Sequence, residues 1–289
     1  RLRAGVNPSE DVAPWREAGA SMVILQLLSP LPSQTPTSPL DFVDAFSTEI
    51  VRFLGQGVRF LEIHDEPNRV DRGAGVSWQD GAAFAAWFRE VAAHLRDRFG
   101  DAVKLGFPAL APSRLPRPDP SAPVDELAFL EPCRDALADA DWAALHLYWR
   151  TVEEMRAFDG PLQALRTYLE PFADQDFIVT EFANVNPELP STVRGDQYAE
   201  FYTTLAQYDR VLGVCSFLLH AEDPRYAPLA WLDTDGQPRA MVARIADRPA
   251  MPDPSRLWMT WPTAYPDYNQ LFGENQRTYY DCCRMAGGH

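Results

Sequence analysis

Short apolar runs alternate with stretches of helical periodicity along most of this chain. Most of the runs are apolar at nearly every position, which is typical of strands buried on both faces of a parallel sheet. The predicted strands are RAGVN (3–7), SMVILQLL (21–28), VRFLEIH (58–64), VKLGFPAL (103–110), WAALHLYW (142–149), FIVTEFAN (177–184) and GVCSFLLH (213–220).

Amphipathic segments separate these strands. Segment 39–57 carries an apolar stripe and stops at glycines, and segment 77–100 begins with Ser77 as the predicted N-cap and ends at Gly100. Further helical segments are 160–173 and 194–209. Repeated strand-then-helix units predict an α/β fold, either a closed barrel or a doubly wound sheet.

Two observations favour the barrel. Neither a Gly-x-Gly-x-x-Gly motif nor a P-loop follows the first strand, which removes the usual reason to expect a doubly wound fold. Polar side chains also close nearly every strand at the same end, where (β/α)8 barrels carry their active sites. The pattern predicts a (β/α)8 TIM barrel over residues 1–246. Residues 247–289, rich in proline and aromatics, are predicted to form an irregular tail or a linker to a further domain.

Composition narrows the class of function. The chain has 289 residues with a net charge of −15, which argues against binding nucleic acid, whose phosphates require lysine and arginine. No apolar run is long enough to span a membrane. The four cysteines, which include the adjacent pair Cys282 and Cys283, match no zinc or thioredoxin-like spacing. No spacing of His, Asp and Glu matches a zinc site either, so we expect no metal. The chemistry considered below requires no cofactor.

Two glutamates stand where buried strands emerge. Glu66 follows FLEIHD, and Glu181 lies inside FIVTEFAN. Hydrolysis of a glycosidic bond requires one carboxylic acid to protonate the leaving oxygen and a second carboxylate to attack the sugar carbon or to activate water. Strand ends at a barrel mouth can hold two such groups a fixed distance apart.

These motifs resemble those of the retaining glycoside hydrolases with (β/α)8 barrels that are grouped as clan A. EIHDEPN is similar to their NEPN signature, whose glutamate is the acid/base and corresponds to Glu66. IVTEFA is similar to their seventh strand, so Glu181 corresponds to the nucleophile. HLYW resembles their sixth strand, and Tyr148 corresponds to a tyrosine that orients the nucleophile. PLAWLDTDGQPRAMVARIA resembles the stretch after their last strand.

The resemblance and the strand-end positions together give a candidate set of substrate-binding residues. Trp149 and Trp231 are predicted to stack on sugar faces, and His146 is expected to be a wall residue rather than a metal ligand. Asp65 departs from the family, because an asparagine that binds the sugar 2-hydroxyl is usual there. A carboxylate beside Glu66 is expected to raise its pKa. The full candidate set is His64, Asp65, Asn68, His146, Tyr148, Trp149 and Trp231.

A second departure concerns topology. In the family the acid/base follows strand four, yet only two convincing strands precede residues 58–64. The first strand therefore lies upstream of Arg1, or a strand has escaped detection. As a further alternative, RLWMTW (256–261) fills the gap, since an open barrel edge is a liability.

The tail WPTAYPDYNQLFGENQRTYYDCCRMAGGH is similar to the entry segment of lysostaphin-type zinc endopeptidases, with His289 at the position of the first ligand. The remaining ligands are missing, so the resemblance implies a piece of a larger modular protein that acts on cell walls. It also implies an extracellular or cell-envelope localisation and a carbohydrate partner.

Three functions remain open. The first is a retaining hydrolase that cleaves a β-glycosidic bond, on a cell-wall or extracellular polysaccharide. The second is a catalytically inactive barrel that binds carbohydrate or serves as a scaffold. The third is a hydrolase or lyase that uses the same carboxylates on a substrate other than a sugar.

Overall fold

The computed structural model of this protein describes residues 2–3, 11–17, 20, 22–28, 37–118, 123–246 and 257–260. Within these residues, eight strands form one parallel sheet whose spatial order is the order of the chain. The strands are β1 Leu2–Arg3, β2 Ile24–Leu27, β3 Phe60–Ile63, β4 Lys104–Phe107, β5 Trp142–Trp149, β6 Phe177–Asn184, β7 Val211–Ser216 and β8 Leu257–Thr260.

Helices follow most of the strands. They are α1 Ala13–Glu17, α2 Pro39–Gly55, α3 Gly81–Phe99, α4 Glu126–Leu130, α5 Arg134–Ala138, α6 Val152–Arg156, α7 Pro161–Leu169, α8 Ser191–Leu205 and α9 Ala240–Ala246. This sequential parallel order with intervening helices is that of a (β/α)8 barrel, and it confirms the predicted fold class. None of the helices in the described ranges is long and apolar enough to cross a membrane.

The last strand explains the topological departure seen in the sequence. If β3 corresponds to the fourth strand of the resembling family, then β7 corresponds to its eighth, and the neighbouring place belongs to its first. β8 lies in that place, parallel to β7, with Gly213 opposite Leu257 and Ser216 opposite Thr260. Residues 257–260 of the RLWMTW segment therefore lie beside β7, where the alternative puts them. The domain boundary at residue 246 stays a prediction.

Two apolar layers surround the sheet because its side chains alternate between the two faces. A small cluster from β2, β5, β6, β7 and the segment after β4 forms the barrel interior: Ile24, Ala109, Trp142, Ala144, Ile178 and Cys215. Trp142 packs directly against Gly106, where an added Cβ would lie 2.3 Å from the indole. A much larger cluster lies between the sheet and the helices, and it contains Phe84, Leu145, Phe182 and Met241.

Local signals set the helix ends. Ser38 caps α2, accepting a hydrogen bond from the Asp41 N–H at 3.2 Å, with Pro39 in the first helical position. The predicted Ser77 cap is wrong: α3 begins after Asp80, whose carboxylate accepts from the Ala83 N–H at 2.9 Å. Asp80 lies three residues closer to the apolar stripe, and a carboxylate caps as well as a hydroxyl. The end at Gly100 is confirmed.

Candidate active site

The chain leaves β3 through a strained turn. His64 has φ +75° and Glu66 has φ +46°, in the left-handed region that side chains other than glycine rarely adopt. Each such residue costs about 1–3 kcal/mol and persists only where its surroundings hold it. Here the His64 N–H donates to the Leu27 carbonyl at 2.7 Å, and the Glu66 N–H donates to the Ala109 carbonyl at 2.9 Å. These two hydrogen bonds therefore hold the strained backbone from which the Glu66 side chain extends.

Asn68 braces the same turn from within. Its side-chain amide donates to the carbonyls of Ala111 and Val124 at 2.9 and 3.1 Å, and its oxygen accepts from the Ala111 N–H at 2.7 Å. Both amide hydrogens are thus used by the neighbouring loops. The structure places Asn68 as a link between the segments that follow β3 and β4.

A β-bulge turns Glu181 into the barrel. Val179 pairs with Leu145, but His146 pairs with Glu181, so β6 carries one extra residue. Thr180 already faces inward, since its hydroxyl lies 3.4 Å from Glu62 across the barrel. Without the bulge the next residue would face the helices. Bulges often re-aim a side chain beside an active site.

His146 lies at the centre of the carboxylates. Its Nδ1 is 2.8 Å from Glu66, and its Nε2 is 3.6 Å from Glu181 and 3.9 Å from Asp65. Burial lowers the pKa of His146, but Glu181, Glu66 and Asp65 together raise it to about 9. The ring is therefore a buried imidazolium at neutral pH.

Tyr148 contacts Glu181 from the inward-facing position of β5 that follows His146. Its hydroxyl donates to Glu181 Oε2 in a short hydrogen bond. Burial, followed by the charges of Glu181 and Glu66, raises the pKa of Tyr148 well above its ordinary value. The phenol therefore stays protonated and remains a donor to the carboxylate. The structure brings Glu66, Glu181, His146 and Tyr148 together, as the sequence analysis expected.

Glu66 lies between two cations, which the sequence analysis did not foresee. Arg69 Nη1 contacts Oε2 at 2.7 Å, while His146 contacts Oε1. Burial raises the pKa of Glu66, but the His146 hydrogen bond and charge and the Arg69 charge lower it below its ordinary value. The expectation that Asp65 sets a raised pKa is corrected: Asp65 acts in that direction, and the two cations outweigh it.

The residues before Glu66 face different surroundings. Asp65 is buried, 3.8 Å from Arg72 and 3.9 Å from His146 Nε2. His64 packs edge-on against Trp78, with ring centroids 4.9 Å apart. Burial lowers the pKa of His64 to about 4, so it is neutral. Asp65 therefore lies with the carboxylates, whereas His64 belongs to an aromatic cluster beneath the turn.

Both predicted tryptophans are buried. Trp149 donates to Gln197 at 2.7 Å and stacks on Phe182 with centroids 6.0 Å apart and an angle of 11°. His146 and Tyr148 face inward on β5, so residue 149 faces the helices, and the period of two was the signal that could have shown this. Trp231 is 2% exposed within the larger core. A role for either in stacking on sugar stays a prediction.

Phe217, which the sequence analysis did not select, is a partly exposed aromatic residue beside the site. It follows β7 and packs edge-on against Tyr148 with centroids 6.0 Å apart. Tyr226 also packs edge-on against Phe217, with ring centroids 6.1 Å apart. The predicted strand ran to residue 220, whereas β7 ends at Ser216, and this difference hid the position of Phe217 at the strand end.

Among the described residues, one group of side chains has ligand atoms close enough to hold a metal ion. Atoms of Glu62, Asp65 and His146 all lie within 4.8 Å of one another, and all three residues are buried. The raised pKa of His146 opposes this use, because a ligating imidazole must give up a proton. The donor set therefore fits a bound proton better than a metal ion, and the predicted absence of a metal stays a prediction.

Solved structures that resemble this chain are glycoside hydrolases. A family 128 (subgroup II) endo-β-1,3-glucanase from Pseudomonas viridiflava gives a TM-score of 0.53 at 19% identity, covering 84% of this chain and 95% of that one. A second such enzyme, from Sorangium cellulosum, gives 0.51 at 17% identity, covering 86% and 99%. A family 39 glycoside hydrolase from Bacteroides cellulosilyticus gives 0.53 at 15% identity, covering 77% and 49%.

At these identities the likeness establishes the fold. No protein-family model matches the sequence, and no curated protein matches it.

Proposed function

We propose that this protein is a glycoside hydrolase that cleaves a β-glycosidic bond with retention, with Glu181 as the nucleophile and Glu66 as the acid/base. One observation carries the proposal: a single imidazole, that of His146, contacts both carboxylates at the barrel mouth. Tyr148 fixes Glu181 by a hydrogen bond, as a nucleophile requires. The assignment of retention rests on the resemblance of the two glutamate motifs.

In this mechanism Glu181 attacks the anomeric carbon while Glu66 protonates the leaving oxygen. Glu66 then removes a proton from the water that releases the sugar. Tyr148 holds the attacking carboxylate in one orientation, and Phe217 offers an apolar ring face beside it. Since similar folds include endo-β-1,3-glucanases, β-1,3-glucans are the first substrates to test.

A second candidate function is a carbohydrate-binding barrel without catalysis. The observation that favours it is the pairing of both Glu66 oxygens with cations, because an ionised carboxylate cannot donate a proton. Both candidates require a sugar in the same cleft, so binding alone does not separate them.

The deciding experiment measures reducing ends released from a panel of β-1,3- and β-1,4-linked polysaccharides, with binding to each measured in parallel. We expect release from at least one polysaccharide by the wild type and none by Glu181→Gln. Binding without release supports the carbohydrate-binding barrel. Asp65→Asn separates the two again: it preserves or raises activity in a hydrolase and changes nothing in a binding module.

A further inference from the structure

Glu66 is held at both oxygens, and the two partners come from different parts of the fold. His146 reaches Oε1 from β5, across the barrel. Arg69 reaches Oε2 from three residues further along the same turn, and the two side chains of this ion pair are only 7% and 8% exposed. Little water screens an ion pair that is buried to this degree. Arg69 therefore has a large effect on the protonation state of Glu66.

The guanidinium of Arg69 is itself held in place. Its Nε and Nη2 donate to the two oxygens of Asp71 at 2.9 and 2.5 Å. The Arg69 N–H donates to the Glu66 carbonyl at 3.0 Å, and the Arg69 carbonyl accepts from Ala74 at 2.9 Å. This two-pronged contact with Asp71 leaves Nη1 directed at Glu66. Asp71 thus holds the Arg69 guanidinium in the orientation that contacts Glu66.

We infer that Arg69 is a positioning residue that keeps Glu66 ionised in the free protein. The inference rests on the proposed role of Glu66 as acid/base. Among the described residues, the titratable and charged groups that face Glu66 are Asp65 and Arg69 on its own segment, His146 and Tyr148 from β5 and, beyond the ring, Glu181 from β6. Replacing Arg69 with a neutral residue removes one positive charge and leaves the carboxylates and the imidazole in place.

In this arrangement His146 holds the proton that acid catalysis requires while Glu66 is ionised. His146 Nδ1 lies 2.8 Å from Glu66 Oε1, and with the His146 pKa raised to about 9 the imidazolium donates a proton along this contact. As Oε2 leaves Arg69, that proton moves to Glu66 and leaves His146 neutral. Glu66 then passes it to the leaving oxygen, and the water consumed in the second step returns a proton to the pair. Arg69 therefore sets how readily the acid form is reached.

The first test reads Glu66 without using activity. In protein labelled with ¹³C at the glutamate carboxyl carbons, the Glu66 signal is assigned by its absence in Glu66→Gln and then titrated. Loss of a charge at this distance shifts a carboxyl pKa by about 1–3 units. Arg69→Gln and Arg69→Met should raise the pKa of Glu66 by this amount, whereas Arg69→Lys should raise it less. Two neutral variants keep the test open if one fails to fold.

The matched control is Arg134→Gln. Arg134 pairs with Glu131 at the same spacing of three residues and the same 2.7 Å, but on the surface. This variant should leave the Glu66 titration unchanged. An unchanged titration in the neutral Arg69 variants would overturn the inference.

The second test is the pH dependence of kcat/KM. A group that must be protonated for the first step determines the pH at which kcat/KM falls on the basic side of the profile. Arg69→Gln should move that pH upward by about 1–3 pH units, which a merely structural role would not do. Absence of hydrolysis in every variant would refute the proposed function alone, because the carboxyl titration still decides the role of Arg69.

Discussion

The two carboxylates of the candidate site occupy similar places and have different surroundings. Glu66 follows β3 through a left-handed turn and contacts two cations, Arg69 and His146. Glu181 lies within β6 at a bulge and receives the hydroxyl of Tyr148. We call these the β3 side and the β6 side of the site. His146 is the side chain that joins them.

The difference teaches how one fold gives two glutamates separate tasks. A carboxylate that only has to attack needs a fixed orientation, which a neutral donor supplies. A carboxylate that must gain and lose a proton needs neighbours that hold its charge and exchange protons with it. The β3 side has such neighbours, and the β6 side has the orienting hydroxyl. The predictions below test whether the two sides differ in this way.

The largest effect should come from the β6 side. Glu181→Gln removes the nucleophile, and we expect kcat/KM to fall by about 10⁴-fold or more for every substrate. Steady-state kinetics measure this loss. Glu200→Gln, which alters an exposed glutamate paired with Arg156 on the surface, is the control and should keep full activity. A residual rate above one tenth of the wild-type rate would contradict the assignment.

The next effect distinguishes the two sides directly. Glu66→Gln should reduce kcat/KM by about 10²–10⁴-fold for sugars with poor leaving groups, because these require protonation. For a β-glycoside of a nitrophenol, which leaves without a proton, the loss in the first step should be much smaller. Comparing the two substrates in the same variant makes the test. Equal losses for both would mean that Glu66 does not act as the acid.

A smaller effect is expected from Tyr148→Phe. The lost hydrogen bond to a charged group is worth about 1.5–3 kcal/mol, which corresponds to roughly a tenfold to hundredfold loss of kcat/KM. Tyr168→Phe is a matched control, because the Tyr168 hydroxyl also donates to a carboxylate, that of the half-buried Glu126, at 2.6 Å. Similar losses of activity in both variants would show that general stability, not orientation of Glu181, is responsible.

The smallest effect concerns the turn on the β3 side. The pKa of His64 is lowered to about 4, so as pH falls below about 6.5 the unfolded chain takes up a proton that the folded chain does not. Stability should therefore fall by about 2 kcal/mol between pH 7 and pH 5 on account of His64. Urea unfolding at the two pH values measures it. His64→Gln should lessen this fall, and an equal fall in this variant would contradict the role given to His64.

The sequence predicted the strands that form the site with good accuracy. β5 and β6 begin and end where the apolar runs do, since both are buried on two faces and their pattern is continuous. The meeting of Glu66, Glu181, His146 and Tyr148 followed from the rule that polar side chains gather at one end of a parallel barrel. For His146 and Tyr148, strand position was enough, whereas Glu181 also needs the bulge in β6 to face the barrel interior.

The contacts that tune the site could not be read in the same way. The bulge at Glu181 adds one residue to β6 and leaves no mark in the apolar pattern. The contact of Arg69 with Glu66 depends on the left-handed turn and on the hold that Asp71 has on the guanidinium. Such geometry depends on neighbouring loops, which sequence spacing does not encode.

The extracellular or cell-envelope localisation stays a prediction.

Of residues 247–289, the structure describes Leu257–Thr260, which pair with β7. The resemblance to zinc endopeptidases, His289 and the cysteine pair at 282–283 lie outside the described residues. A further domain in the parent chain therefore stays a prediction.

Trapping of the sugar on the enzyme tests the central claim most directly. A 2-deoxy-2-fluoro β-glycoside with an activated leaving group slows the second step of double displacement, so the covalent intermediate accumulates. We predict one added sugar per chain by mass spectrometry, located on the peptide that contains Glu181. A product formed with inversion and no adduct, or an adduct located on Glu66, would contradict the account.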